Sequence, residues 1–264
     1  MSIGPSASVR ALALSGMVLI APFVTHAGLL RSWTIGPALA SAQSAQPQAS
    51  QRKPRLFPPE NLGLLEAPDR DDWNKPDLIM DALGIADGGI VADLGAGGGW
   101  FTVRLARRVG PNGTVYAQDI QPQMIEAINR RVQHEGVRNV RTVLGTPTDP
   151  QLPPGLDAVL IVDAYHEMDD PTRPDVVRTL LTRVAAALKP QGRVGVVDFL
   201  PGGGGPGPGT EDRVNPDAVV RAAEGAGLRL QSRAVVPPFQ FILVFSRAQT
   251  PAALGPGSRG TIRP

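Results

Sequence analysis

Through the middle of the chain, short and mostly apolar runs alternate with longer stretches in which apolar residues return every three or four positions. An unbroken run suits a parallel strand covered on both faces, and the longer period suits an amphipathic helix laid across it. Strand patterns stand at 91–94, 114–118, 140–144, 156–163 and 193–199, of which 156–163 is the apolar run of the fully buried type. Between them, residues 121–135 put Met124, Ile125, Ile128 and Val132 on one helical face. Residues 174–189 do the same with Val177, Leu180, Leu181, Val184 and Leu188. Pro190-Gln191-Gly192 should stop that helix, and Asn215 is the expected N-cap of another over 216–225. A short helix is expected over 78–83, and residues 228–236 and 239–246 read as two closing strands joined at Pro237-Pro238. Strand–helix alternation of this kind predicts an α/β architecture with a Rossmann-like, doubly wound, mostly parallel sheet.

The first strand leads into the segment where chemistry is expected. Val91-Ala92-Asp93-Leu94 runs into Gly95-Ala96-Gly97-Gly98-Gly99 and then into the helical pattern from Trp100. Glycines let the backbone approach a ligand closely, and the helix start offers it unpaired N–H groups. Asp119 closes the second strand, where an acid suits the two hydroxyls of a ribose. Together these residues predict a nucleoside-containing cofactor. A dinucleotide fingerprint counted from Gly95 would need its third glycine where Trp100 stands. Asp93 at the strand end also disfavours a nearby phosphate and suits a cationic amino-acid tail.

The segment from Asp93 through Gly95, Gly97 and Gly99 resembles motif I of the class I S-adenosylmethionine-dependent methyltransferases. The resemblance extends over residues 73–247, with Leu188-Lys189-Pro190-Gln191-Gly192-Arg193 similar to the family's junction before strand five. Within the family it leans toward the ubiquinone/menaquinone methyltransferase-like, small-molecule subgroup. It implies a seven-stranded sheet with an antiparallel last strand inserted beside the fifth, and S-adenosyl-L-methionine as cofactor. Asp93, Gly95, Ala96, Gly97 and Gly99 would then hold the methionine portion, Asp119 the ribose, and Ile120 would pack on the adenine. Thr146 stands where the family often has an acid for the adenine amino group, with Asp149 as a substitute if the loop folds back. Asp163, at the end of strand four, is a further cofactor-side candidate. The residues after it, Tyr165, His166 and Glu167, lie where methyl acceptors sit in this fold. An oxygen or carbon acceptor must lose a proton, and a histidine with a neighbouring acid can take it. The expected activity is methyl transfer to a small-molecule oxygen or carbon nucleophile. Two other readings stay open: a catalytically silent, exported nucleoside-binding protein of the same fold, and an NAD(P)-dependent oxidoreductase, which Trp100 disfavours. Pro201 to Thr210, rich in glycine, suits either a lid or a passive loop.

Composition narrows the partners. The chain has no cysteine, which excludes thiolate metal sites and a cysteine nucleophile. His166, Glu167, Asp169 and Asp170 are a local cluster without a second histidine nearby, so no metal is expected. Of 26 Lys and Arg, only Arg10 and Arg31 fall within residues 1–50, which hold no acid; the remaining 24 balance the 24 Asp and Glu. The chain therefore lacks the basic footprint of a nucleic-acid binder. Residues 11–30 are mostly apolar, and Ala40-Ser41-Ala42 fits a signal-peptidase site. Residues 1–42 are thus expected to be a signal peptide or membrane anchor. Export to the periplasm or a tether through 11–30 is the matching localisation, with a cytoplasmic one also open. Residues 43–72 read as a linker or extended arm, 73–247 as the methyltransferase domain, and 248–264 as a disordered tail.

Overall fold

The computed structural model describes residues 56–248; the expected leader and cleavage site, and all but the first residue of the expected C-terminal tail, lie outside them. Seven strands form one sheet: β1 (Ile90–Leu94), β2 (Thr114–Asp119), β3 (Val140–Leu144), β4 (Leu156–Val162), β5 (Leu188–Phe199), β6 (Leu228–Val236) and β7 (Gln240–Arg247). Their order across the sheet is β3-β2-β1-β4-β5-β7-β6. Strands β1 to β5 pair in parallel, while β7 runs antiparallel between β5 and β6. The expected seven-stranded sheet with its reversed last strand is the one observed.

Helices cover both faces. They are α1 (Arg70–Asn74), α2 (Pro76–Ala82), α3 (Trp100–Val109), α4 (Pro122–His134), α5 (Tyr165–Met168), α6 (Pro174–Ala187) and α7 (Pro216–Gly225). Strand alternation sorts the core into two layers. Val91, Ala158, Leu160 and Val162 join Ile79 and Met80 of α2 and Phe101 and Leu105 of α3 on one side. Ala92, Val159 and Ile161 join Leu180, Leu181 and Val184 of α6 and Val219 and Ala223 of α7 on the other. The central strands are largely buried on both faces, which is why they read as mostly apolar runs.

Three details depart from the sequence pattern or sharpen it. Helix α6 ends at Ala187, two residues early, because Leu188 is already extended and pairs with Leu156 of β4. Asn215 caps α7 as expected, its side-chain oxygen accepting from the Asp217 N–H at 2.8 Å. The stretch expected as a linker or arm is built into the domain from Leu56 onward. Pro59–Leu65 is a 3-10 helix, and α1 follows it directly with Arg70, Trp73 and Asn74 buried. Among the described residues no helix is long and apolar enough to cross a membrane.

Candidate active site

The strand order reverses between β1 and β4, and a ligand in an open parallel sheet binds beyond the strand ends at such a switch. The glycine turn lies there. Gly95, Gly97 and Gly99 have φ of 75°, 52° and 79°, a region that favours glycine. The N–H groups of Gly95 and Ala96 both donate to the Gln118 carbonyl at 2.9 Å, tying the turn to β2. A Cβ on Gly95 would stand 2.8 Å from the Ala164 Cβ, so no side chain fits. Asp119 closes the cradle from β2. One carboxylate oxygen accepts from the Gly97 N–H and the other from the Gln121 N–H, each at 3.0 Å. Burial holds Asp119 above the usual carboxylate range despite these bonds. Asp93 is 2% exposed and accepts from the Thr102 hydroxyl at 2.6 Å. Burial pushes it from 3.8 up to about 6, against the pull of that bond and of Arg70. Thr102 escaped the sequence reading, since nothing in one sequence marks a threonine among inward-facing helix positions.

Ala96 and Ile120 flank the cradle, both half-buried. The loop after β3 is adjacent, through the Gly145 N–H on the Asp119 carbonyl at 2.9 Å. Thr146 and Asp149 close that loop on themselves: the Thr146 hydroxyl accepts from the Asp149 N–H at 3.1 Å. The Asp149 carboxylate meanwhile caps the Gln151 N–H at 3.0 Å.

Asp163 ends β4 in a left-handed conformation, φ 56°. Both its oxygens are committed to protein partners. The Arg70 guanidinium donates at 3.0 Å and the Asn74 amide at 3.2 Å to one oxygen, and the Gln240 amide donates to the other. Arg70 is itself stacked over the Trp100 ring, 4.2 Å from its centroid. Trp100, which replaces a dinucleotide glycine, thus carries this buried guanidinium on its face, with Arg104 also stacked on the ring at 3.4 Å. Burial raises Asp163 to about 6, with Arg70 and His166 opposing and Asp198 adding to the rise. Arg70, Asn74 and Gln240 were not visible as site residues in the sequence.

Of the three candidates on α5, two face the site. His166 Nδ1 lies 3.0 and 3.1 Å from the two Asp198 carboxylate oxygens, and its backbone N–H donates to Asp198 at 2.9 Å. Burial alone would lower this imidazole; the Asp198 hydrogen bond and charge outweigh it and hold His166 above its ordinary value. Glu167 Oε1 is 4.0 Å from His166 Nε2, and burial raises the carboxyl. Glu167 Oε2 accepts from the Phe57 N–H at 2.9 Å, while Gln121 donates to the Phe57 carbonyl at 3.0 Å. The segment from Leu56 to Glu66 therefore straps across both halves of the site, with Leu62 and Leu65 beside Gly98 and Gly97. Tyr165 does not join them. It is packed in the layer under α6, its hydroxyl has no hydrogen-bond partner, and burial pushes the phenol upward.

The glycine-rich stretch after β5 is pinned. Arg213 donates to the carbonyls of Leu200, Gly204, Pro206 and Pro208 at 3.0, 3.0, 3.1 and 3.1 Å. No group of three or more potential metal ligands occurs among the described residues.

Comparisons with known proteins agree with this geometry. Residues 91–192 match the methyltransferase-domain family. The chain is 31% identical to nocamycin O-methyltransferase of Saccharothrix syringae over 123 residues, 47% of this chain and 42% of that protein. It is 31% identical to a protein-L-isoaspartate O-methyltransferase of Methanothrix thermoacetophila, over 38% of this chain and 53% of that one. A ubiquinone/menaquinone biosynthesis C-methyltransferase of Pasteurella multocida is 30% identical over 48% of this chain and 45% of its own. The chain thus spans about half the length of the curated relatives it matches. The crystal structure of a SAM-dependent methyltransferase from Aquifex aeolicus superposes with a TM-score of 0.66 at 25% identity, covering 72% of this chain and 98% of that one. Residues 91–192 thus match a methyltransferase domain, and the fold and glycine turn are similar to those of the class I S-adenosylmethionine-dependent methyltransferases.

The residues present fit that cofactor. Asp119 can accept from both ribose hydroxyls, and Gly95, Gly97, Gly98 and Gly99 project no side chain of their own from the turn. Asp93, Asp119, Asp163 and Glu167 are all raised by burial first. Asp119 then acts on Asp93, and Asp198 on Asp163 and Glu167, in the same direction. A ligand carrying a sulfonium and an ammonium relieves such a cluster; a pyrophosphate aggravates it.

Proposed function

We propose that the protein transfers the methyl group of S-adenosylmethionine to a neutral small-molecule acceptor, through an oxygen or carbon nucleophile. The observation that carries this reading is the charge of the acceptor side. Asp163, Glu167 and Asp198 meet there, and the nearby guanidiniums are already committed, Arg70 to Asp163 and Arg213 to the loop carbonyls. A phosphorylated or carboxylated acceptor would enter an acidic, partly desolvated site in which both of these described guanidiniums are already paired. A phenol, quinol or enol has no such conflict. Relatives named for O-methylation and for C-methylation both accord with an acceptor that must lose a proton.

The cofactor supplies an electrophilic methyl on a sulfonium, whose carbon–sulfur electron pair stays with the sulfur. The chain's own part is alignment and proton removal. Asp119 and the Gly95–Gly99 cradle fix the adenosyl and methionine portions. His166 takes the acceptor's proton, with Glu167 beside it. The strap from Leu56 to Glu66 and Phe199 keep water from the reacting atoms.

The test is formation of S-adenosylhomocysteine from S-adenosylmethionine with paired acceptors. Phenols, quinols and 1,3-dicarbonyls would be set beside their carboxylated or phosphorylated counterparts. Turnover is expected with the neutral members, and turnover confined to the anionic members would overturn the reading. His166→Ala should lower turnover by about 100-fold or more while S-adenosylhomocysteine still binds.

A further inference from the structure

Strand β5 carries an acid that the resemblance does not assign. Asp198 is 0% exposed, yet its carboxylate gathers contacts from three directions. The His166 backbone N–H donates to Oδ2 at 2.9 Å and the Phe199 N–H to Oδ1 at 2.8 Å. The His166 Nδ1 bridges both oxygens at 3.0 and 3.1 Å. The Phe199 ring stands edge-on to the imidazole, with centroids 6.5 Å apart. The ring is therefore held by its backbone, by a carboxylate and by an aromatic edge.

An ionised carboxylate can only accept hydrogen bonds, so Nδ1 must bring the proton to this contact. A neutral imidazole has one proton, and placing it on Nδ1 puts the basic lone pair on Nε2. Building on the methyl-transfer reading above, we propose that Asp198 is a positioning residue: it fixes His166 as the Nδ1–H tautomer, which makes Nε2 the atom that receives the acceptor's proton. The step balances. The acceptor's bond to hydrogen supplies the electron pair for its new bond to the methyl carbon, and the released proton goes to Nε2. The resulting imidazolium, protonated on both nitrogens, is stabilised by the Asp198 carboxylate at Nδ1. Among the described residues, charged groups that act on this ring include Asp198 from β5, Glu167 from α5 and Asp163 from β4. Asp198 makes the hydrogen bond to Nδ1, whereas Glu167 lies 4.0 Å from Nε2.

A purely structural role would have Asp198 cap the start of α5 through the His166 N–H. The two roles separate in Asp198→Asn. Its amide oxygen can still accept a backbone N–H, but its amide nitrogen donates to the ring and draws the lone pair to Nδ1. The experiment is nitrogen-15 NMR of the imidazoles in the full chain, followed across pH. The chain has three histidines, and a His166→Ala sample assigns the signal. Expected in the wild type is an Nδ1–H ring that titrates above its ordinary value. Asp198→Asn should show an Nε2–H ring, with its titration midpoint lowered by about one pH unit or more. Its affinity for S-adenosylhomocysteine should be unchanged. An Nε2–H ring in the wild type overturns the proposal without any variant, which covers the case in which Asp198→Asn does not fold. An unchanged tautomer and midpoint in a folded Asp198→Asn also overturn it. A wild-type chain that shows the Nδ1–H ring but does not bind S-adenosylhomocysteine overturns the methyl-transfer reading, and with it the role given to Nε2.

Discussion

Asp93 is expected to weaken the free protein, and by an amount large enough to measure. Its carboxylate is 2% exposed, and burial raises its pKa from 3.8 to about 6 even though Thr102 donates to it at 2.6 Å. At 1.36 kcal/mol per pH unit, that rise corresponds to about 3 kcal/mol of penalty for carrying the charge at pH 8. The sign follows from linkage. Between pH 4 and 6 the folded state holds this proton more tightly than the unfolded chain, so stability falls as pH rises through that window. Asp93→Asn removes the charge while keeping an oxygen for the Thr102 hydroxyl. The variant should therefore match the wild type near pH 4 and exceed it at pH 8 by up to about 3 kcal/mol. For a domain of this size each kcal/mol is worth about 2–4 °C in Tm, so the gain would be up to about 6–12 °C. Thermal unfolding of both proteins at half-unit pH steps reads this directly. With S-adenosylmethionine present the order should reverse, because only the wild type offers the ligand's cationic end a carboxylate. A variant less stable than the wild type at pH 8, or two curves that stay parallel across pH, would refute the reasoning.

Other parts of the site make separate predictions. Arg70→Met leaves the Asp163 carboxylate buried without its guanidinium and should cost about 3–5 kcal/mol in urea unfolding; adding Asp163→Asn should restore much of it. Tyr165→Phe deletes a buried hydroxyl with no partner, so stability should change by less than about 1 kcal/mol and turnover should be unaltered. Arg213→Ala removes the donor shared by four loop carbonyls, and hydrogen exchange or limited proteolysis should show residues 200–209 opening while the sheet stays protected.

Much of the fold was legible because its signals are local. A central parallel strand is apolar along most of its length, and the turn after β1 needs glycine at Gly95, where φ is positive. Asn215 announces its helix through its own side chain. The candidate site was legible where one residue type at a strand end suffices, as with Asp93 and Asp119. It was not legible where function depends on residues far apart in sequence. Asp163 meets Arg70, Asn74 and Gln240 across 93, 89 and 77 positions, and only the assembled sheet brings them together. That encounter changes the meaning of Asp163 from a cofactor-side candidate to the hub of a buried network. Tyr165 misled for another reason. It precedes His166, but successive residues of α5 point to different sides, and the phenol goes to the core. The proline-rich arm before Asp69 reads as linker because its residues are at most half-buried, lying on a surface, and that leaves no periodic trace in the sequence. Asp198 was visible only as a strand end; its partner became clear once β5 was seen beside β4.

The most direct test of the account is calorimetric titration of the chain with S-adenosylmethionine at pH 5.5 and 7.5, alongside Asp119→Ala. Binding is predicted at both pH values and tighter at 7.5, because the cationic ligand releases protons from the raised carboxylates; Asp119→Ala should abolish it. No binding to a folded wild-type sample, or equal affinity in Asp119→Ala, would contradict the assignment of this sheet edge as the cofactor site.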